Sequence, residues 1–175
     1  MSKIEIEELI SEEEIKTRIK QIAGDITADY SGKSLLFVGI LKGSFIFLAD
    51  LVRQAGVKTE IAFMALSSYA DSSCSNGEVK LLYDSLESVE GKHLLVVDDI
   101  ADTGVTLAFL TRVLSMRRPL SLKFCVLLDK PSRRKVEVAL DYIGFQIPDE
   151  FVVGYGLDYA GDFRNLKGIY KALNI

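Results

Sequence analysis

Apolar positions along this chain recur with two different periods, and the switches between them lay out the elements. Ile15, Ile19, Ile22 and Ile26 fall at helical spacing, the mark of an amphipathic helix with one buried face. Ser11-Glu12-Glu13-Glu14 precedes them and reads as a capping box, with Ser11 serving the N3 amide and Glu14 reaching back. The helix is predicted to run to about Tyr30, where Ser31-Gly32-Lys33 stops it. Residues 35–40 are continuously apolar, as in a strand buried on both faces. A helix over about 45–54 ends at Gly56, and 59–66 is the next strand. Residues 67–78 are rich in Ser, Asp, Asn and Gly and read as a loop, followed by a short strand over 79–83. Residues 94–97 are predicted as the central strand and about 105–116 as a helix, closed by Arg117-Arg118-Pro119. Another buried strand covers 121–128, and short strands cover 142–145 and 151–155. Alternating strands and helices, with strands apolar on both sides, predict an α/β domain with a mainly parallel sheet flanked by helices.

Composition narrows the class without naming it. The chain has 175 residues, 49% of them hydrophobic, enough for one domain with a sizeable core. No apolar run approaches a membrane span. Residues 1–14 are acidic, with neither a basic n-region nor an apolar h-region, so no signal peptide is expected there. The two cysteines make no disulfide framework. Cys125 lies in an apolar run and is expected to be a buried thiol, and Cys74 falls in the polar loop. A reduced, cytoplasmic setting fits this usage. The net charge of −4 argues against a nucleic-acid surface. His93, the only histidine, precedes the central strand and reads as structural or solvated. Without a Cys/His set, any metal is expected to be a hard, oxygen-bound ion.

The chemistry concentrates where the central strand ends. Leu94-Leu95-Val96-Val97 runs into Asp98-Asp99, then Ile100-Ala101-Asp102-Thr103-Gly104-Val105-Thr106. Carboxylates thus stand at the carboxyl end of a strand, and backbone amides open the next helix where an anion can bind. Such parts suit a sugar phosphate: acids for hydroxyls and a metal, amides and hydroxyls for the phosphate. A Rossmann-like turn for a different phosphate, or an acidic loop for calcium, uses similar parts. Gly39-Ile40-Leu41-Lys42-Gly43-Ser44 is a second strand-to-helix turn, which also reads as an ordinary connection.

Asp98 to Thr106 resembles, position by position, the phosphoribosyl-diphosphate loop of the type I phosphoribosyltransferases. Three further strings resemble the hypoxanthine–guanine members of that family: Leu41-Lys42-Gly43-Ser44, Leu128-Asp129-Lys130-Pro131, and Ile147 through Tyr159. The likeness spans about 35–166. One departure is Asp98, where the purine-salvage members usually carry Glu. The resemblance implies the type I fold, with a core over about 30–145, a small hood from about 146–175 with the N-terminal region, and a mobile flap over about 67–84. It implies transfer of a phosphoribosyl group from phosphoribosyl diphosphate to a 6-oxopurine, with Mg²⁺ as cofactor.

The same resemblance implies roles. Asp102, Lys130 and Arg164 would be catalytic. Leu41, Lys42, Gly43, Asp98, Asp99, Asp102, Thr103, Gly104, Val105, Thr106, Arg134 and Arg164 would hold phosphoribosyl diphosphate or pyrophosphate, and the adjacent Arg133 leaves the Arg134 assignment open by one position. Ile100, Lys130, Phe151, Val152 and Asp158 would meet the purine. Asp98, Asp99 and Asp158 would hold metal, and Ser68 and Tyr69 would belong to a lid. In this family the peptide before the loop lysine is often cis. A homodimer or homotetramer is implied, with no nucleic-acid or membrane partner. Two rival readings stay open: a preference for xanthine or guanine, and an RNA-binding regulator built on the same fold.

Overall fold

A computed structural model describes residues 4–68 and 79–174. The main sheet has six strands. They are β2 (Ser34–Leu41), β3 (Lys58–Ser68), β4 (Val79–Asp84), β5 (His93–Ala101), β6 (Ser121–Asp129) and β7 (Tyr142–Gln146), in the order β4-β3-β2-β5-β6-β7. The pairs from β3 to β7 are parallel, and only β4 on β3 is antiparallel. A second sheet joins the two ends of the chain: β1 (Glu5–Ile10), β9 (Ile169–Leu173) and β8 (Val152–Val153), in the order β1-β9-β8, all antiparallel.

Alternation along the strands divides the core in two. Leu35, Phe37, Leu95, Val97, Cys125 and Leu127 face one side, where they meet Ile15, Ile19, Ile22 and Ile26 of α1 (Glu12–Asp29) and Phe47 and Leu51 of α2 (Phe45–Gln54). Leu36, Val38, Leu94, Val96, Phe124 and Val126 face the other side and meet Leu107, Leu110 and Leu114 of α3 (Val105–Ser115). The strands read as unbroken apolar runs because both faces are covered. α1 begins as its sequence predicts: Ser11 Oγ accepts from the Glu14 amide, and Glu14 takes the Ser11 amide at 2.9 Å. No helix of the described residues is long and apolar enough to cross a membrane.

Three elements differ from the sequence pattern. β5 continues four residues past its apolar run, because Asp98 and Ile100 stay in the ladder opposite Val126 and Leu128. The strand expected over 151–155 shrinks to Val152–Val153, since Gly154, Tyr155 and Gly156 all take positive φ (98°, 49° and 104°) and turn the chain toward the cleft. Strands β1 and β9 were not expected at all. Cys125 is buried as expected, and burial raises its thiol above the ordinary range. His93 is structural: Nδ1 lies 2.8 Å from Ser121 Oγ, and the ring packs edge-on against Tyr30.

Candidate active site

The carboxyl ends of β2, β3 and β5 open into a cleft of about 1110 Å³. It is lined by Leu41 to Gly43, by Ala65 and Leu66 of β3, by Val79 and Leu82 of β4, by Asp98 to Thr106, and by Asp158 and Arg164 after β8. Arg133 and Lys135, on the connection after β6, complete one wall. Placement at strand carboxyl ends is where open α/β sheets gather ligands, because the turns there lead into helix N-termini.

The first loop turns from β2 into α2. Its Leu41–Lys42 peptide is cis. Ser44 is fully buried and its Oγ donates to Ile40 O at 2.6 Å, which pins the turn from inside. Lys42 is exposed at the cleft mouth, and no carboxylate lies within 4 Å of its ammonium among the described residues. The loop therefore presents one free cation beside backbone amides, a setting for an anion.

The second loop carries the acids. Asp98 Oδ1 accepts from the Asp99 amide at 3.0 Å, and Asp99 Oδ1 from the Ile100 amide at 2.9 Å. Burial, then the adjacent Asp99 charge, pushes the Asp98 carboxyl well above the usual range, and burial raises Asp99 as well. Neither forms an ion pair with a described residue. Two adjacent acids, Asp98 buried and Asp99 half-buried at the cleft, without an ion-pair partner among the described residues, suit an oxygen-bound divalent cation that takes its remaining ligands from substrate. Gly104 follows with φ 84° as the N-cap of α3. A Cβ there would lie 2.3 Å from Val136 O, so the turn requires glycine both for its φ and for the close backbone. Thr103 Oγ1 accepts from the Val105 amide at 3.4 Å, and the first amides of α3 face the cleft without intrahelical partners.

The three-stranded sheet and the segment between β8 and β9, called the hood below, supply the remaining charges. Arg164 Nη1 donates to Gly156 O at 2.7 Å, and Nη2 pairs with Asp158 Oδ1 at 2.6 Å. Asp158 Oδ2 accepts from the Gly161 amide at 2.8 Å. Tyr155 OH ties the hood to α2 by donating to Asp50 Oδ2 at 2.5 Å.

Lys130, Arg134, Phe151 and Val152 do not line the cleft itself. Lys130 is 7% exposed, and its amide donates to Ala101 O at 2.9 Å, which holds it against the acidic loop. Arg134 bonds Asp102 O at 3.0 Å and pairs with Asp129, so its guanidinium braces the loop from behind. Arg133, one position earlier, faces the cleft and pairs with Asp102 Oδ1 at 3.1 Å. Phe151 is 45% exposed and meets Tyr159 edge-on at 5.6 Å, presenting an open ring face. Val152 is buried in β8. Ser68 closes β3, and Tyr69 lies outside the described residues. Sequence reasoning left Arg133 open as the alternative to Arg134, and it missed Asp149 and the pairing of Arg133 with Asp102 and Asp149. Their signals were the doubled arginine and an acid ahead of an exposed aromatic.

Comparison with known proteins agrees with this geometry. Residues 5–160 match the model of the phosphoribosyl transferase domain. The hypoxanthine phosphoribosyltransferase of Haemophilus influenzae is 48% identical over 99% of this chain and 98% of its own. The hypoxanthine-guanine phosphoribosyltransferase of Bacillus subtilis is 46% identical over 97% and 94%. Among solved structures, a hypoxanthine-guanine phosphoribosyltransferase from Bacillus anthracis superimposes with a TM-score of 0.90 at 46% identity, covering 98% of this chain and 100% of that one.

Proposed function

The chain belongs to the phosphoribosyl transferase domain family, and we propose that it moves the 5-phosphoribosyl group of phosphoribosyl diphosphate onto N9 of hypoxanthine, and of guanine. The products are the purine nucleotide and pyrophosphate. The observation that carries this reading is one cleft that gathers from separate segments four carboxylates, a helix N-terminus, Arg164 and Lys42, which has no ion pair among the described residues. Relatives with that activity in their names, at nearly half identity over almost the full length, support it. Hypoxanthine or guanine, rather than xanthine, follows the same names. The charge balance and the paired acids and bases of the cleft give the RNA-binding reading no support.

In this reading the amides and hydroxyls from Asp102 to Thr106 hold the 5′-phosphate. Lys42, the amides around Gly43, and Arg164 hold the pyrophosphate. Asp98 and Asp99 bind the ribose hydroxyls and would hold one Mg²⁺, and Asp158 would hold a second. The metal, when bound, neutralises charge on the leaving pyrophosphate. The bond from C1′ to the pyrophosphate oxygen breaks with its electron pair on the oxygen, and the N9–C1′ bond forms. Lys42 and Arg164 stabilise the leaving charge where it develops. Asp102 accepts the purine N7 proton as N9 attacks. Phe151 stacks on the base, Ile100 packs beside it, and the Val152 backbone meets its edge. Lys130 donates to O6, and an ammonium has no acceptor to offer an amino group there, so adenine is disfavoured. Ser68 and Tyr69 belong to a lid that excludes water. The active form is a homodimer or homotetramer in a cytoplasmic setting, and sedimentation velocity reads its size.

The decisive assay offers hypoxanthine, guanine, xanthine and adenine separately with phosphoribosyl diphosphate and Mg²⁺, following nucleotide by absorbance. Hypoxanthine or guanine should turn over and adenine should not. Asp102→Asn should lower kcat by about 10²–10⁴-fold, the usual worth of general-base help, and leave the KM for phosphoribosyl diphosphate nearly unchanged. Full turnover in that variant removes Asp102 from the mechanism.

A further inference from the structure

Four side chains of alternating charge run along the base side of the cleft. Asp102 Oδ1 accepts from Arg133 Nε at 3.1 Å. Arg133 Nη1 lies 3.5 Å from Asp149 Oδ2, and the other oxygen, Asp149 Oδ1, lies 3.9 Å from Lys130 Nζ. Each inner residue therefore uses separate atoms for its two neighbours. The two ends are the groups assigned above to the purine, Lys130 to O6 and Asp102 to N7. Those atoms adjoin on one edge of the ring, so donor and acceptor must arrive at a fixed separation. Asp102 is about two-fifths exposed as a side chain, and its Oδ2 takes no bond from a described residue. Lys130 is almost wholly buried, and a buried ammonium requires a counter-charge. Asp149 is the carboxylate that stands within reach of it.

We propose that Arg133 and Asp149 are positioning residues for the base, a relay that ties the N7 acceptor to the O6 donor. This rests on the roles given above to Asp102 and Lys130. Arg133 occupies only Oδ1 of Asp102, so Oδ2 stays open to the proton, and the guanidinium stops the half-exposed carboxylate from rotating away. Asp149 uses one oxygen to hold Arg133 and the other to orient Lys130. A planar guanidinium bridges two carboxylates from different edges of its fork, which an ammonium does with less geometric control.

Steady-state kinetics on the full chain test the relay, with hypoxanthine varied at saturating phosphoribosyl diphosphate and the reverse. The proteins are wild type, Arg133→Ala, Asp149→Ala, the double variant, and Asp149→Glu. Each alanine variant should raise the hypoxanthine KM about two- to fivefold, the scale of coupling between partly exposed ion pairs, with the KM for phosphoribosyl diphosphate unchanged. The double variant should be no worse than the weaker single, because links of one chain do not add, and Asp149→Glu should restore most of the loss. Additive effects, or a loss confined to kcat, overturn the proposal. A lower hypoxanthine KM in Arg133→Ala also overturns it, since Arg133 would then be a plug that the base displaces. If wild type binds phosphoribosyl diphosphate yet turns over no base, the functional reading itself fails and the relay with it. Thermal unfolding of each variant separates these effects from lost folding.

Discussion

A Cβ built on Gly43 would lie 1.5 Å from Asp99 Oδ2 and 2.4 Å from its Cγ. The Asp99 carboxylate cannot swing aside cheaply, since its other oxygen is held by the Ile100 amide. On the opposite flank the hood presses in, and a Cβ on Gly156 would meet Gly43 O at 2.1 Å. Gly43 is thus the contact at which the first loop, the acidic loop and the hood converge. Gly43→Ala is expected to incur an overpacking cost of about 1–3 kcal/mol. Because the atom displaced belongs to the carboxylate proposed to bind the ribose, kcat/KM for phosphoribosyl diphosphate should fall about tenfold or more. A variant with wild-type kcat/KM would show that the cleft widens without loss. Sequence placed Gly43 and Asp99 in two motifs without showing that they touch, since 55 intervening residues have to fold before the contact exists. Runs such as Asp98 to Thr106 were legible because all their chemistry is local to one turn. Arg133 and Asp149 were not, because their pairing depends on which way the short 3-10 turn at Pro131–Arg133 aims its side chains.

α1 ends in an acid where the helix dipole favours a base, and no basic residue occupies its last turn. The surroundings make up the deficit. Tyr142 OH donates to Asp29 Oδ2 at 2.6 Å and Lys123 Nζ at 3.0 Å, joining the helix end to β7 and β6. Those bonds, Tyr142 first and Lys123 second, hold the Asp29 carboxyl below its ordinary range. A carboxyl with a depressed folded value stabilises the fold above its unfolded value and loses that contribution as pH falls through the folded one. Asp29→Asn should therefore lower the urea midpoint at pH 7 and pH 5, with the gap to wild type closing below about pH 4, near the ordinary carboxyl value. A gap of equal size at pH 3 would mean that packing, not charge, sets the effect. At this scale the sequence was most informative: α1, α2 and the buried strands follow from spacing and caps within single segments. Where it failed, the cause was a backbone feature with no apolar period, as in the left-handed run that cuts β8 short.

The hood sheet is built from the two ends of the chain. β9 runs between β1 and β8, and Glu5 to Ile10 finds its partners more than 150 residues away. β1 alternates poorly and carries three glutamates, and the closing segment is short, so neither resembles a strand until the other is beside it. Non-local pairing of that kind leaves no local signal. Its consequence reaches the site. Val152 and Val153 pair with Lys171 and Tyr170, and the Ala172 amide donates to Phe151 O at 2.9 Å, so β9 holds the segment assigned to the base. The six-stranded sheet carries the two loops proposed to bind phosphate, and β9 is not part of that sheet. Ile169 opens β9, is fully buried and packs in the α1-side core. Ile169→Ala is expected to cost about 2–5 kcal/mol in urea unfolding, as deletion of buried methyl groups does. Under native conditions the same variant should raise the hypoxanthine KM and leave phosphoribosyl-diphosphate affinity, read by calorimetry, near wild type. Equal weakening of both ligands would mean that the hood and the sheet open as one unit, and that the base subsite has no independent support from the chain ends.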